Sequence, residues 1–594
     1  MERRLLYAIA LMIGVMILAN VLFPPVERPF DPDTAEGELA PGAAGDPAAA
    51  PEVAGPAEER ELTDAESAAA DLEAALAGPD EVEVRAPEAA PAPGTGEIIT
   101  VRSDLYEYRF DTRGARLVGA TMLAYENFAA GGHGGSNVEL IRRDDAMLTY
   151  AVSLRGDTVS LESFVFDVSA SRLDVTDGPE ELRFDASIGR VTFDVTYRFQ
   201  PDDYRIEASG GLRDIGDVGH AVQIGLGRGI ELNEAVPRED LEARALVTRS
   251  RSGEITAERL RDVDEEAAFP APGGPFSWVA SKSKYWLAAL VTPPNSPGVG
   301  GVMLRGVAEE GTAAMQASLP VPAGSEGFEY VAYVGPQDFE RLQAVGQELH
   351  NVNPYGWSWL RWFIRPFGNL IVAVLIWMQD SFSLAYGWVL ILFGVASRIV
   401  LFPLYQISMR QQMKQMAMQP EVKQLQERYK GDPQRLQQEQ MKLYREHGVN
   451  PLGGCLPMLV PLPILITLFF VFQNTIEFRG VPFLWLPDLS LRDPIFIIPA
   501  LMGGSMLLLN WIGQRGMEPN PQMKLISYVL PVVFTFIFAS FAAGLNLYYT
   551  ASNIASLPQQ MYLSKERRRS QPPGGRKDNE AKRGTRPGRP GQRT

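Results

Sequence analysis

One apolar run in the second half of the chain contains a single full charge. Residues 383–404 read SLAYGWVLILFGVASRIVLFPL, and the charge is the guanidinium of Arg398. A run of this length is typical of a helix that spans a bilayer. An arginine at the centre of a bilayer costs about 2.5–3.5 kcal/mol on insertion scales, so protein or water normally surrounds it. The alternative is that Arg398 lies close enough to the end of the run for its side chain to reach the interface.

The composition divides the 594-residue chain into parts of different character. Residues 24–350 carry most of the acid, residues 351–563 are strongly apolar, and residues 564–594 are basic, so the net charge of -17 describes no single surface. The length predicts two or more domains. The single cysteine, Cys455, excludes an intramolecular disulfide. The four histidines show no metal-ligand spacing, and we expect no metal or cofactor.

The N-terminus has the features of a membrane anchor. Leu5–Phe23 contains no charge and is long enough to span a bilayer. A cleaved signal peptide is the alternative, but its apolar part is usually shorter, and no small-residue cleavage site follows directly. We therefore expect residues 1–23 to be an uncleaved anchor. Residues 24–95 are rich in Ala, Pro, Gly, Glu and Asp, which predicts a disordered acidic linker because they have little to bury.

Residues 96–345 have the pattern of an antiparallel β domain. Segments such as LYEYRFDT, VTFDVTYRF and RIEASGGL alternate apolar and polar residues between Gly, Asp and Asn turns. So many strands in succession predict a large β-sandwich, followed by a helix over residues 336–349. Carboxylates are abundant here but follow no catalytic spacing, so a sugar-binding or hydrolytic site is only a minor alternative.

The apolar half predicts a helical membrane bundle. Residues 357–380 are aromatic, with two early arginines and a proline, which favours an interfacial helix over one more span. Residues 383–563 then form a predicted five-helix core, with a cytoplasmic helical hairpin at 406–448 broken by Gly431-Asp432-Pro433. The five predicted spans are Ser383–Leu404, Cys455–Phe472, Ile495–Ile512, Leu525–Ala542 and Leu545–Tyr562, the last two separated by a break at Ala543-Gly544.

The distribution of Lys and Arg predicts the orientation of the bundle. The segment 406–448 has eight Lys or Arg, and residues 564–594 have eleven against three acids. By the positive-inside rule these parts lie in the cytoplasm with Arg3 and Arg4. The fold class is therefore a multi-domain chain: an α-helical polytopic bundle of about six spans, with both termini cytoplasmic, plus a large periplasmic β-sandwich.

Polar residues recur in or beside the later spans, where each side chain needs a partner. Asn546, Tyr549 and Asn553 share one helix face by their spacing. Together with Arg398, such residues are candidates to line a hydrated groove; the alternative is hydrogen bonding between helices. The candidate groove residues are Arg398, Asn510, Asn546, Tyr548, Tyr549 and Ser552.

Three segments carry a resemblance to a known family. They are SRIVLFPLYQISM, VNPLGGCLPMLVPLPI and GLNLYYTASNIASLPQQ. With the order of elements, they resemble the YidC/Oxa/Alb membrane protein insertases, and the anchor plus outer domain resembles the Gram-negative branch. The resemblance covers 357–563 by motif and 96–345 by architecture. It matches Arg398 to the family's groove arginine, and Tyr548 and Tyr549 to its paired tyrosines.

The resemblance implies a function and a set of partners. It implies a membrane protein insertase and chaperone, not an enzyme, which moves client transmembrane segments into the bacterial inner membrane alone or with the Sec translocon. It also implies a hydrophilic groove, a hairpin needed for activity and a β-supersandwich largely dispensable for insertion. Nascent membrane proteins and the lipid bilayer are the expected partners. The basic tail at 564–594 is a candidate ribosome-binding or lipid-binding segment; simple topology setting is the alternative.

The chain departs from the family pattern at three positions. Pro461 and Asn510 stand where Gln is common, and Gly394 stands one turn before Arg398 where a hydroxyl residue is frequent. Two other functions remain as alternatives at this point. A transporter or channel with Arg398 as an anion site predicts an inverted repeat, which the sequence does not show. A tethered periplasmic carbohydrate-active enzyme needs a carboxylate pair at glycosidase separation.

Overall fold

The computed structural model describes residues 96–570 with short gaps. The gaps are residues 130–134, 217, 264–268, 271–273, 308–311, 326, 354–360, 408–413, 415–417, 430, 448–461 and 515–520. The predicted anchor, the acidic linker, Cys455, Pro461 and residues 571–594 lie outside the described residues. Among the described residues, the β unit comprises those up to Val372 together with Ile466–Gly480. The helical unit comprises Ala373–Leu465 and the residues from Val481 onward.

Strands are the main regular elements of the β unit, as the alternating pattern predicts. In β10, for example, Phe193, Val195 and Tyr197 are buried at every second position of VTFDVTYRF. The strands are β1 Ile98–Arg102, β2 Tyr106–Asp111, β3 Arg116–Glu126, β4 Asn137–Glu139, β5 Thr149–Leu154, β6 Asp157–Ser160, β7 Asp167–Val168, β8 Arg172–Asp174, β9 Glu180–Ile188, β10 Val191–Phe199, β11 Arg205–Arg213, β12 His220–Gly225, β13 Ala245–Ser250, β14 Ile255–Arg259, β15 Phe269–Pro270, β16 Phe276–Lys282, β17 Trp286–Val291, β18 Gly301–Val307, β19 Thr312–Val321 and β20 Phe328–Pro336.

These strands form three sheets. The orders are β4-β3-β2-β1-β8, then β14-β13-β16-β17-β20-β11-β10-β9-β7, then β15-β18-β19-β12-β5-β6. Only the β1–β8 pair is parallel among the described strands. Hydrophobic residues from all three sheets form one continuous core, rich in aromatic rings. Within it, the hydroxyl of Tyr150 bonds to those of Tyr197 at 2.8 Å and Tyr330 at 2.5 Å, so three buried phenols satisfy one another.

The described residues also form α-helices. They are α1 Pro237–Ala243, α2 Phe339–Val345, α3 Arg361–Phe382, α4 Tyr386–Val400, α5 Gln419–Arg428, α6 Pro433–Glu446, α7 Leu462–Asn474, α8 Ile497–Gln514, α9 Pro521–Phe538 and α10 Ala543–Ser570. The chain bends by 118° between α3 and α4, with Ser383 at a φ of 50°. Among the described residues, α8 is the helix that is long and apolar enough to cross a membrane alone. The α3–α4 pair passes the same test only when both helices are taken together.

The turn between α5 and α6 is held by side-chain capping. Asp432 accepts a hydrogen bond from the backbone N–H of Arg435 at 3.0 Å, which begins α6 where the Gly-Asp-Pro break occurs. The helices α5 and α6 on either side of this turn pack against each other. Each supplies buried residues, such as Val422 and Tyr444, to a small apolar cluster.

The break between the last two helices differs from its predicted place. Ala543 and Gly544 are the first residues of α10, and the turn lies at 539–542. The backbone N–H groups of Ala543 and Gly544 donate to the carbonyls of Leu491 and Leu489, at 2.7 and 2.9 Å. These bonds satisfy donors at the start of α10, so the small residues begin the helix instead of interrupting it.

Candidate functional site

A glycine permits the close approach of α4 and α10. A Cβ atom added at Gly394 would lie 3.0 Å from the carbonyl oxygen of Tyr548 and 3.2 Å from the Cβ of Ala551. Both distances are at or inside the tightest range for real side chains, so a larger residue would push the helices apart. Gly394, one turn before Arg398, therefore serves helix packing in this chain, at the position where the resemblance leads us to expect a hydroxyl residue.

Arg398 lies in the last turn of α4 and is half-buried. Its Nε donates to the carbonyl oxygen of Ser552 at 3.2 Å and to the Ser552 Oγ at 3.0 Å. Its guanidinium carbon lies 4.3 Å from the ring centre of Tyr405, a distance at which the cation is attracted to the aromatic face. Among the residues that the structure describes, Arg398 has no carboxylate within ion-pair distance. Protein groups therefore orient the cation while its charge stays unneutralised.

A cavity of about 720 Å³ lies between α4 and α10, and Arg398 is part of its wall. Most of the wall is apolar, and the polar groups on it besides Arg398 come from α10. The lining residues are Ile391, Val395, Arg398, Ile399, Phe402, Leu547, Thr550, Ala551, Ile554, Ala555, Pro558, Gln559 and Tyr562. The site thus combines one full positive charge with a low-dielectric surface, an arrangement that strengthens attraction to an anionic group.

The paired tyrosines occupy different environments. Tyr548 is buried, its hydroxyl lies 3.4 Å from the Ser397 Oγ, and its ring packs 5.6 Å from that of Phe393. Tyr549 is half-buried and packs its ring 5.6 Å from that of Phe538. Tyr548 therefore contacts the helix that carries Arg398, whereas Tyr549 contacts the end of α9.

The three asparagines of this region lie in different surroundings. Asn546 is fully buried, and its amide nitrogen donates to the carbonyls of Phe538 at 2.8 Å, Ala542 at 3.3 Å and Phe541 at 3.4 Å. The Asn553 amide donates to the Ser505 Oγ of α8 at 3.1 Å. Asn510 is half-buried on α8. Of the candidate groove residues, Arg398, Ser552 and Tyr548 lie together, while Asn546 lies at the α9–α10 turn.

The structure adds residues that the sequence pattern did not single out. Tyr405, Thr550 and Gln559 contact Arg398 or line the same cavity. The lining residues of α10 form two adjacent rows at i, i+4 spacing, one with Thr550, Ile554, Pro558 and Tyr562 and one with Leu547, Ala551, Ala555 and Gln559. This spacing is the signal that could have grouped Thr550 and Gln559 with the cavity wall. Among the described residues, no cluster of three or more His, Cys, Asp or Glu could hold a metal ion. What the described residues bring together here is one guanidinium and an apolar wall, which suits charge attraction and apolar contact.

Comparisons with known proteins identify the family of this chain. A family model described as the YidC periplasmic domain matches residues 98–370, and one described as the 60Kd inner membrane protein matches residues 377–570. The membrane protein insertase YidC of Chlorobium phaeovibrioides is 30% identical over 505 residues, covering 80% of this chain and 84% of its own. That of Chlorobaculum parvum is 30% identical over 498 residues, covering 79% and 83%.

A solved structure is also similar. It is a crystal structure of an active YidC insertase with its first transmembrane domain resolved, 18% identical, covering 79% of this chain and 95% of its own. Its TM-score against this chain is 0.33, so the assignment rests on the sequence comparisons.

These matches define first a class, the inner-membrane proteins that carry a periplasmic β-rich domain ahead of an apolar helical part. Within that class, the chain belongs to the YidC family of membrane protein insertases. The predicted insertase function is confirmed, and the transporter alternative gains no support. The family is one of insertases, with membrane protein clients and the lipid bilayer as partners. The combination of a β-rich domain with a helical C-terminal part agrees with the predicted fold class.

Proposed function

We propose that client segments enter the bilayer along the cavity between α4 and α10, with Arg398 as the charge that attracts them. The observation that carries this proposal is a half-buried guanidinium on an apolar wall, without a carboxylate partner among the described residues. Ser552 and Tyr405 hold the cation in place. An acidic residue in the polar tail of an arriving client supplies the missing counter-charge.

Two physical effects act in sequence in this proposal. The apolar wall lowers the local dielectric constant, so the attraction between Arg398 and a client carboxylate exceeds its value in water. Hydration around Arg398 shortens the apolar distance that the polar tail must cross. The client's own apolar helix then moves into lipid, and burial at about 25 cal/mol per Å² makes this step favourable. Neither step uses a nucleotide.

The topology completes the proposal. We place residues 1–23 as an anchor, 24–95 as a linker, 96–345 as the periplasmic β domain, 357–380 as an interfacial helix and 383–563 as the core. Six spans with both termini in the cytoplasm bring the hairpin at 406–448 and the basic tail at 564–594 to the side where clients are made. The Sec translocon and the ribosome are the proposed partners on this path, the latter through the tail.

Replacement of Arg398 in cells depleted of their own insertase tests the entry route. Arg398→Ala is compared with Arg398→Lys, which keeps a charge but loses the planar donor geometry. The matched control is Arg492→Ala, which removes an exposed arginine of the helical unit away from the cavity. Two clients that differ only in the charge of their outer tail, acidic or neutral, are assayed for insertion by protease protection.

The proposal expects Arg398→Ala to slow insertion of the acidic client far more than that of the neutral client. Arg398→Lys should retain part of the acidic client's rate, and Arg492→Ala should insert both clients normally. Equal loss for the two clients would show that Arg398 supports the fold of the helical unit and does not select charge. Normal insertion of the acidic client by Arg398→Ala would refute the entry route.

A further inference from the structure

The segment Asn474–Gly480, which we name the clasp, begins at the last residue of α7. The clasp lies within residues 377–570, the part that matches the 60Kd inner membrane protein model. In space, however, Ile466–Gly480 belongs to the same compact unit as the β domain. The clasp therefore brings a piece of the insertase part of the chain into the β unit.

The centre of the clasp is a buried ion pair. The Nε of Arg479 lies 2.9 and 3.0 Å from the two carboxylate oxygens of Glu234, and the side chains are 2% and 7% exposed. The Nη2 of Arg479 donates to the backbone carbonyls of Glu126 and Asn233 at 2.9 and 3.2 Å. Glu234 also accepts from the indole N–H of Trp286 at 3.0 Å. Both members of the pair thus have further hydrogen bonds that offset part of their desolvation.

Aromatic and apolar contacts enclose this pair. The guanidinium carbon of Arg479 lies 4.4 Å from the ring centre of Phe128 and 5.2 Å from that of Trp286. Ile476 is 3% exposed and belongs to the hydrophobic core of the β unit. Gly480 turns the chain at a φ of 69°, directly against the ring of Phe128. Such packing is typical of a fixed contact between segments that are remote in sequence.

Two further hydrogen bonds reach the clasp, one at its middle and one at its start. The backbone N–H of Phe339, at the start of α2, donates to the Glu477 Oε1 at 3.2 Å. The Asn353 amide nitrogen approaches the carbonyl of Asn474 at 3.5 Å, and the Asn353 Oδ1 accepts from the buried Lys282 ammonium at 2.7 Å. The last carbonyl of α7 is thereby linked to a strand of the β domain through one asparagine.

We propose that Arg479 and Glu234 are positioning residues of the insertase, which fix the C-terminal end of α7 by holding the clasp in the β domain. The pair acts on the end of α7 and not on the client. A broken pair therefore impairs insertion by misplacing α7, even in a family whose β domain as a whole is expected to be largely dispensable. Removal of one partner leaves the other charge buried and unpaired, which opens the clasp and frees the end of α7. Removal of both charges leaves no unpaired ion, so the double variant should be milder than either single one.

Single and double variants of the full chain in lipid vesicles test the positioning role. The variants are Glu234→Gln, Arg479→Gln, Arg479→Lys and the double Glu234→Gln/Arg479→Gln. The matched control is Arg251→Gln, which removes an exposed arginine of the same unit that donates to the backbone carbonyl of Pro294 at 2.6 Å. Hydrogen exchange of α7 and of strand β20 is measured beside the rate of client insertion.

The proposal predicts different changes in hydrogen exchange for α7 and for the β domain. Hydrogen exchange in α7 and the clasp should become about tenfold faster, or more, in Arg479→Gln. Breaking a buried ion pair costs more free energy than a tenfold shift of the opening equilibrium requires. Exchange in β20 should stay unchanged, client insertion should fall, and Arg479→Lys should recover part of it. Arg251→Gln should change neither quantity.

Three results would overturn the proposal. The first is unchanged α7 exchange in Arg479→Gln, because the ion pair would then not hold the helix end. The second is faster α7 exchange with normal insertion, because the end of α7 would then not matter for the reaction. The third is faster exchange in both α7 and β20, seen in all three of Arg479→Gln, Arg479→Lys and the double variant. The ion pair would then support only the fold of the β domain.

Discussion

Arg398 donates from a single nitrogen to both oxygens of Ser552, the backbone carbonyl at 3.2 Å and the Oγ at 3.0 Å. A hydrogen bond that involves a charged donor is stronger than one between neutral groups. These two hydrogen bonds fix the direction of the Arg398 side chain relative to α10. It also explains how one arginine can remain at the edge of an apolar cavity without a carboxylate from the described part of the chain. The candidate site is thus built by two helices, α4 and α10, that meet across Gly394.

The contact at Gly394 gives the first prediction. Gly394→Val places side-chain carbon against the Tyr548 carbonyl and Ala551, where an added Cβ already lies at 3.0 and 3.2 Å. We expect a loss of about 1–3 kcal/mol in stability from overpacking, together with slower insertion because Arg398 and Ser552 separate. Thermal unfolding in detergent and an insertion assay measure the two effects.

Gly504→Val is the control for that prediction, because a Cβ at Gly504 on α8 would meet no atom within 4 Å. It should unfold and insert clients like the parent chain. If Gly394→Val matched Gly504→Val in both assays, the close packing of α4 on α10 would not be required.

Asn546 supports a second prediction, about the turn before α10. Its amide donates to three backbone carbonyls, the shortest bond being 2.8 Å to Phe538. Asn546→Ala leaves these buried carbonyls with one donor fewer, which should cost about 1–3 kcal/mol of stability. Unfolding in detergent is the measurement, with the exposed Asn295→Ala as the control. A stable Asn546→Ala protein with impaired client crosslinking would instead place this residue in direct client contact.

Glu477 gives a pH-dependent prediction. Burial, together with the nearby charge of Asp338, raises the pKa of Glu477 from 4.5 to about 7. A carboxyl whose pKa is higher in the folded state favours folding below the unfolded pKa, and this stability is lost as the pH rises from about 4.5 to about 7. Glu477→Gln cannot ionise, so it should be more stable than the parent at pH 8 by about 1–2 kcal/mol.

Thermal unfolding of the full chain between pH 5 and pH 8 measures this difference. Near pH 5 the parent and Glu477→Gln should unfold at closer temperatures, since the parent carboxyl is then largely protonated. The exposed Glu329→Gln should leave the pH dependence of the parent unchanged. A constant gap between Glu477→Gln and the parent across this range would show that Glu477 does not titrate there.

Local patterns in the sequence predict where the strands and helices lie, but they do not predict which elements contact one another. Apolar alternation identified strands such as β10, and a charge within an apolar run identified Arg398. The pairing of Arg398 with Ser552 joins positions 154 residues apart, and that of Arg479 with Glu234 joins positions 245 apart. No single-sequence periodicity encodes such distances, so the clasp was not predicted. The sequence marks Gly394 only as a departure from the family pattern, because the packing of α4 on α10 leaves no signal in the residues around Gly394.

Asn546 shows that helical spacing predicts which residues share a face but not which groups that face contacts. Its helical spacing to Tyr549 and Asn553 predicts a shared face, but the spacing does not reveal what that face meets. In the structure the Asn546 side chain reaches back to carbonyls of the preceding turn. The free backbone acceptors at the end of one helix capture the amide, since an unpaired buried carbonyl is costly.

Solvent access to the wall of the cavity beside Arg398 tests the central claim most directly. In a Cys455→Ser background the chain has no other cysteine, so Thr550→Cys on the cavity wall reports one site. Phe536→Cys, 77% exposed on α9, serves as the control. The measurement is labelling by a membrane-impermeant maleimide in inverted inner-membrane vesicles. We predict rapid labelling at position 550 and none at position 536. Absence of labelling at position 550, with the protein folded, would contradict a hydrated entry route past Arg398.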